Sequence, residues 1–340
     1  MANQSMKVWQ ISKFGLDALE QLERTVPQPG PNEILVKIAA VSLNYRDKLV
    51  VEGTYNASFL LPLVPASDAA GTVVALGPGV TRVRMGDRVI GLFYPKWFDG
   101  DVRAAQHDDT LGGPLPGMLA EYVVFHEQAV VAAPSYLDDR EASTLPIAAL
   151  TAWTALFEHA HVGPGQTVLV EGTGGVSVFG LQLASAAGAR VIVTSSRDEK
   201  LARAKALGAW ETINYTSHPH WDERAIELTS GRGVDLVLEV FGGDNVQRAA
   251  HALARGGTIA LIGLLQDVSA RLDIVPFMVN MRTLRGVSVG NRRQIEAMNR
   301  ALDRIQLRPV IDTVYPFAET PAAFEHVSRG AFGKVVIALA

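Results

Sequence analysis

The sequence predicts an α/β protein: a doubly wound parallel sheet joined to a second, β-rich domain. Three observations carry that expectation. From about Pro146 to Gly290, apolar runs rich in β-branched residues alternate with stretches at helical spacing, the mark of a parallel sheet covered on both faces. In the first third, residues 34–41, 70–76, 88–92 and 121–124 read instead as short strands between the Gly/Pro turns PGPNE, GPGV and RMGD, suggesting a small barrel-like domain. The tail carries an amphipathic helix at 294–305 and a β-run at 334–339, and is expected to fold back on that first domain.

Within the middle region, strands are expected at 167–171, 190–194, 212–214, 234–239, 258–263 and 284–289. A length of 340 residues corresponds to about two domains. With 48% hydrophobic and 19% charged residues the chain reads as ordinary globular protein. A net charge of −4 gives no reason to expect nucleic acid or an anionic membrane as partner. There is no apolar run of spanning length, and residues 1–9 lack the apolar core of a secretory signal, so a cytoplasmic location is the expectation. The absence of cysteine excludes disulfides, a cysteine nucleophile and thiolate metal sites.

The most informative stretch is TVLVEGTGGVSVFGLQLASAAGARVIVTSSRDEK, residues 167–200. It reads as strand, glycine-rich turn, helix and second strand, the unit that binds a dinucleotide. Gly172, Gly174 and Gly175 let the chain turn sharply and bring bare backbone against a pyrophosphate, and Val176 opens the helix. The helix adds unpaired N–H groups and the positive end of its dipole. The third glycine of the GxGxxG pattern is replaced by Ser177, a small residue compatible with close helix–strand packing, and Gly180 follows. At the end of the second strand, an acidic residue would favour NAD. The chain instead has Ser195, Ser196 and Arg197, with Lys200 a turn later, a set that suits the 2′-phosphate of NADP and favours it over NAD. The plainer role for Ser196 is to cap the helix that follows.

Enough segments now match for a family resemblance. SLNYRDKLVVEGTY (42–55), ASDAAGTVVALGPGV (66–80), GDRVIGL (86–92), GMLAEYVVF (117–125), STLPIAALTAWTAL (143–156), ALGAWETINY (206–215) and FGKVVI (332–337) resemble, in order, the medium-chain dehydrogenase/reductase superfamily. The likeness is greatest to its zinc-free, quinone oxidoreductase-like members. It implies a GroES-like catalytic domain from residues 1–126 and 290–340, a Rossmann domain from 127–289, a cleft at their junction and a homodimer.

Zinc-dependent relatives carry metal ligands where this chain has Asn44, Ser67, Asp68 and Ile147. One carboxylate does not make a zinc site, and residues 95–117 replace the cysteine-bearing lobe of those relatives. No zinc is therefore expected. His159, His161, His218 and His220 read as exposed side chains rather than ligands. Without a metal, hydrogen-bond donors must hold the oxygen on which charge develops as hydride arrives. The resemblance puts Asn44 and Tyr55 in that place, Asn44 as carbonyl-oxygen donor and Tyr55 as donor or substrate wall. Their plainer roles are a turn-capping amide and edge packing. Arg46 and Asp47 are expected to form a bracing charged pair, and Asp68 becomes a general acid only if burial raises its pKa. Trp97 and Phe98 either line the substrate pocket or form a mini-core of their own loop.

The resemblance also brings cofactor contacts: Thr151 beside the nicotinamide, Tyr215 near the adenosine phosphate, and Lys334 near the pyrophosphate. Their alternatives are helix packing, a surface aromatic and a solvated cation. Phe241 and Gly242 with Gly243, and Gly263 with Leu264, follow strands at the carboxyl edge where ligands bind. Asn291 and Arg292 follow the last strand and could reach the cofactor as donors. The expected activity is an NADPH-dependent, zinc-free reduction of quinones or α,β-unsaturated carbonyls, the substrate being a small molecule. A zinc-independent NAD(P)-dependent alcohol dehydrogenase and a non-catalytic cofactor-binding scaffold are the alternatives.

Overall fold

A computed structural model of the chain describes residues 4–103 and 108–339; within the replaced lobe at 95–117, residues 104–107 lie outside it. The first part supplies strands β1 (Ser5–Ile11), β2 (Leu19–Thr25), β3 (Glu33–Leu43), β4 (Asp68–Leu76), β5 (Arg88–Gly91), β6 (Tyr122–His126) and β7 (Val130–Ala132). The middle supplies β8 (Thr167–Glu171), β9 (Arg190–Ser195), β10 (Glu211–Asn214), β11 (Val234–Glu239), β12 (Leu253–Leu261) and β13 (Thr283–Gly286), and the tail β14 (Ile311–Pro316) and β15 (Lys334–Ala338). Two compact units result: Met1–Leu150 with Gly290–Ala340, and Thr151–Val289. The first boundary thus falls at 150/151 where 126/127 was expected. The reason is local: β7 pairs with β5, and the Ile147 N–H donates to the Asp68 carboxylate, tying this stretch to the first unit.

The first unit is built around the long strand β3. One edge carries β4 along its length. The other is shared by β6, paired with residues 33–37, and by β15, paired antiparallel with residues 40–43. Register shifts in β3 at Leu35/Val36 and Ile38/Ala40 mark bulges, which bend a strand and let it serve a barrel-like sheet. The apolar residues of β3 bury against Val50, Val51, Leu119 and Phe324. The tail does fold back: the pairing of Val335 with Leu43 brings Lys334 to the end of β3.

The second unit is a six-stranded parallel sheet in the order β10-β9-β8-β11-β12-β13. Every residue of β8 is buried, as expected of a strand covered on both faces. The order runs one way from β8 to β10 and the other from β11 to β13. The switch point therefore lies between β8 and β11, the crevice where such sheets bind ligands. β12 covers Leu253–Leu261 rather than 258–263. Leu253 already pairs with Val234 across a bulge, and beyond Leu261 the chain crosses the end of β11, where a Cβ on Gly263 would stand 2.2 Å from the Val240 carbonyl oxygen.

Candidate active site

The end of β3 runs directly into the helix Tyr45–Glu52, with Asn44 at its N-cap in extended conformation. The register Ser42↔Asp68 sets Asp68 beside it, and the β15 register brings Lys334 to the same place. The Asn44 amide is held at both ends. Lys334 Nζ donates to Asn44 Oδ1 (2.6 Å) and to the Leu43 carbonyl (2.8 Å), while Asn44 Nδ2 donates to Asp68 Oδ2 (2.9 Å). An ammonium only donates, so Lys334 takes the amide oxygen and the Nδ2 end faces Asp68. The second Nδ2 hydrogen has no partner among the described residues.

This cluster is deeply buried: Asp68 and Asp47 expose nothing and Lys334 only 3%. Burial pushes the Asp68 carboxyl up to about 7, against the pull of the Lys334 ammonium and the Asn44 amide. Burial also raises Asp47 and lowers Lys334. Asp68 Oδ1 has no hydrogen-bond partner among the described residues. Asp47 caps the helix by accepting from the Asn44 backbone N–H (2.8 Å).

The positions at which zinc-dependent relatives place ligands do come together, but as an internally bonded set. They offer an amide, a hydroxyl, one carboxylate and an apolar side chain, with an ammonium 2.6 Å from the amide oxygen. A divalent cation would find a single carboxylate and an amide oxygen already taken by an ammonium, so the donor set does not fit zinc.

Arg46 and Asp47 do not form the expected direct pair; they meet at Ser67, whose hydroxyl lies 3.1 Å from Arg46 and 3.0 Å from Asp47. Arg46 also donates to Thr110 Oγ1 (3.0 Å) and to the Gly113 carbonyl, pinning the loop that replaces the metal lobe. Its guanidinium lies 4.6 Å from the Tyr55 ring centroid and 5.0 Å from that of Phe93. Tyr55, about half exposed, is thus held by a cation–π contact. Trp97 is buried, donates to the Gly100 carbonyl (3.0 Å) and packs edge-on against Tyr94, so the mini-core reading holds for it.

In the second unit, Gly172 has φ +71°, a value that favours glycine. A Cβ on Gly174 would meet nothing within 4 Å, so the first turn of the helix Gly175–Ala186 faces open space. That bare, positive helix start is what a pyrophosphate requires. Val176 is half-buried in that turn. Close helix–sheet packing falls to Gly180 rather than Ser177: a Cβ on Gly180 would stand 2.4 Å from Leu238 Cδ1, whereas the Ser177 hydroxyl donates to the Glu171 carbonyl (2.7 Å). Ser195 is buried at the end of β9, and Ser196 and Arg197 are exposed. Arg197, not Ser196, is the N-cap of the helix Asp198–Ala206 and makes no side-chain cap bond. Lys200 lies half-buried in the first turn of that helix. Tyr215 stacks edge-on against Phe241, 6.2 Å between centroids, and a Cβ on Gly172 would stand 3.8 Å from Phe241. Gly242 (φ +74°) packs so tightly that a Cβ would lie 2.4 Å from the Asp267 carbonyl oxygen. Gly263 closes over β11 as described, and Leu264 is exposed.

Other expected cofactor ligands are engaged elsewhere. Thr151 is buried in the short helix Leu150–Trp153. Asn291 is the N-cap of the helix Arg292–Ile305 and accepts from the Gln294 N–H (3.0 Å). Arg292 donates to Gln128 and covers the Phe98 ring at 4.6 Å. Lys334, expected by the pyrophosphate, spends its ammonium on Asn44 and Leu43. Of the four histidines, His161, His218 and His220 are exposed but His159 is half-buried. Sequence reasoning missed Glu171 and Glu239, two fully buried carboxyls at the ends of β8 and β11. The available signal was that TVLVE and VDLVLE both end an apolar strand in glutamate.

A doubly wound sheet with a bare glycine-rich helix start, joined to a β-rich unit with a buried polar cluster, defines a two-domain oxidoreductase of the nicotinamide-dependent type. Family models agree: an alcohol dehydrogenase GroES-like domain matches residues 30–135 and a zinc-binding dehydrogenase domain residues 175–305. A zinc-type alcohol dehydrogenase-like protein of Schizosaccharomyces pombe is 41% identical over 95% of this chain and 96% of its own. The quinone oxidoreductase of Sus scrofa is 29% identical over 98% of each. Among solved structures, a candidate alcohol dehydrogenase of Sinorhizobium meliloti superposes with a TM-score of 0.94 at 47% identity, covering 100% of both chains. The chain belongs to the medium-chain dehydrogenase/reductase superfamily and is an oxidoreductase of that family.

Proposed function

We propose that the protein is an NADPH-dependent, zinc-free reductase of quinones or α,β-unsaturated carbonyls. The observation that carries this reading is the Asn44 amide, oriented by Lys334 and Asp68 so that one Nδ2 hydrogen remains to be donated. The bound nicotinamide would supply the hydride. Gly172, Gly174, Gly175 and Val176 hold the pyrophosphate, and Arg197 with Ser195, Ser196 and Lys200 receives the 2′-phosphate. Tyr215 and Phe241 form an aromatic edge beside that cradle. When hydride adds to the β-carbon of an enone, the C=C π pair shifts and charge arrives on the carbonyl oxygen. The Asn44 N–H stabilises that oxygen, and a proton from solvent completes the saturated ketone; hydride plus proton converts a quinone to its hydroquinone. This chemistry asks for a hydrogen-bond donor at the oxygen and no strong base. A zinc-independent alcohol dehydrogenase would need such a base to take the hydroxyl proton.

Two copies pair, on this reading, through the second unit. β13 is an edge strand with all four residues exposed, and the helix Ile274–Val279 beside it leaves Ile274, Val275, Met278 and Val279 at 68–71% exposure. An apolar, unpaired edge of this kind is covered in stable proteins. No helix among the described residues is long and apolar enough to cross a membrane.

The acceptor class is tested by following NADPH oxidation with a quinone, an enone and a simple ketone in parallel. Turnover of the first two supports the reading. Turnover of the simple ketone alone would favour the alcohol dehydrogenase, and dinucleotide binding without any turnover a scaffold.

A further inference from the structure

We propose that Glu171 and Glu239 share one proton, and that the protonated pair positions the two loops that cradle the dinucleotide. The proposal rests on the dinucleotide reading of the second unit and adds to it a pair of positioning residues. Both carboxyls sit at the switch point, at the carboxyl ends of neighbouring strands β8 and β11, and expose 1% and 0%. Their Oε1 atoms converge on one donor, lying 2.8 and 3.1 Å from the same Asn245 nitrogen.

Each anchors a different loop. Glu171 leads into Gly172, and its side chain accepts from the Val240 N–H (3.3 Å). Glu239 Oε1 accepts from the N–H groups of Phe241 (3.0 Å) and Gly242 (2.8 Å), which fixes the turn that carries the Phe241 ring over Gly172. Asn245 Nδ2 bridges Glu171 Oε1 (2.8 Å) and Glu239 Oε1 (3.1 Å).

Charge and hydrogen-bond accounting both require the proton. Two carboxylates in contact, out of water and with no cation paired to either among the described residues, repel strongly. Glu239 Oε2 is buried with no hydrogen-bond partner among the described residues, and a proton on Glu171 supplies the missing donor. Burial, and then the Glu239 charge, hold the Glu171 carboxyl well above its ordinary range. Among the described residues, no cation from the surrounding elements pairs with either carboxyl. The end of β10 contributes the Tyr215 phenol through its contact with Phe241, and the segment bridged to Gly242 contributes Asp267. Asp244, at the start of the helix Asn245–Ala252, is exposed, and that helix's Arg248 and His251 pair with Asp222.

The sign follows from linkage. A carboxyl raised in the folded state contributes stability that is present below its unfolded value and is lost as pH rises through the folded one. Above that point two negative charges push the loops apart and the cradle loosens. The test is the affinity for NADPH from neutral to alkaline pH in the wild type and in Glu171→Gln, whose amide donates to Glu239 but cannot titrate. Wild-type affinity is expected to fall about tenfold per pH unit beyond the titration of Glu171, and Glu171→Gln to stay level within about twofold. The infrared band of a protonated carboxylic acid, recorded without dinucleotide, is expected in the wild type and diminished in the variant. An unchanged pH dependence or band in Glu171→Gln, or a variant that does not fold, would overturn the proposal. If the wild type binds no NADPH but keeps the band, the dinucleotide reading fails while the shared proton stands.

Discussion

Asn44 shows how a single side chain acquires a role from its partners. An isolated asparagine at an N-cap is an ordinary turn residue. Here Lys334 and Asp68 fix which end of the amide faces which way, and one Nδ2 hydrogen has no partner among the described residues. Asn44→Ala should lower kcat with a quinone on the order of 10²-fold while NADPH affinity stays within about twofold. Lys334→Met should act in the same direction by freeing the amide to rotate, and steady-state kinetics with direct binding separates the two parameters. Asp68 makes a pH prediction. Its folded pKa, about 7, lies above the unfolded value, so its stabilising contribution is present in acid and lost as pH rises towards 7. Asp68→Asn should flatten the part of the stability profile that lies between those two values, read as denaturant midpoints across that range. A slope equal to the wild type's would mean that Asp68 does not carry the buried proton.

At the scale of elements, two glycines of one helix separate fold from function. A Cβ at Gly174 meets open space at ordinary φ, whereas one at Gly180 would collide with Leu238. Gly174→Ala should fold with an unchanged Tm and bind NADPH at least about tenfold more weakly, because it crowds the space kept for a pyrophosphate. Gly180→Ala should cost about 1–3 kcal/mol of stability through overpacking, measured by thermal unfolding. The sequence made the glycine-rich unit legible because strand, turn and helix are local and periodic. It located β8, β11 and the tail strand for the same reason. The Asn44 cluster was legible only in part. Nothing local in FGKVVI says that Lys334 lies under Asn44; the register of β15 on β3, with Lys334 and Leu43 291 positions apart, decides it. The Glu171–Glu239 pair was hidden likewise, since two strands that are neighbours in the sheet are 68 positions apart at these residues. Periodicity reports which face is buried and not which buried groups meet.

For the whole molecule, the exposed edge strand β13 and the exposed apolar side chains of the helix Ile274–Val279 bear on assembly. Replacing Met278 and Leu284 together by lysine should convert a dimer to a monomer in light scattering, with the dinucleotide cradle intact. A wild-type chain that is itself monomeric would remove that part of the account. The two units divide the chemistry: one reads as the dinucleotide holder, the other as the holder of the acceptor oxygen. Zinc is left out of that division: of the positions where zinc-dependent relatives carry ligands only Asp68 offers a carboxylate, and the Lys334 ammonium bonds the Asn44 amide oxygen. The measurement that tests this most directly is NADPH oxidation by a quinone after exhaustive treatment with a chelator, with NADH run in parallel. The account predicts full turnover after chelation and a clear preference for NADPH. Activity lost on chelation and restored by added zinc, or equal use of NADH, would contradict it.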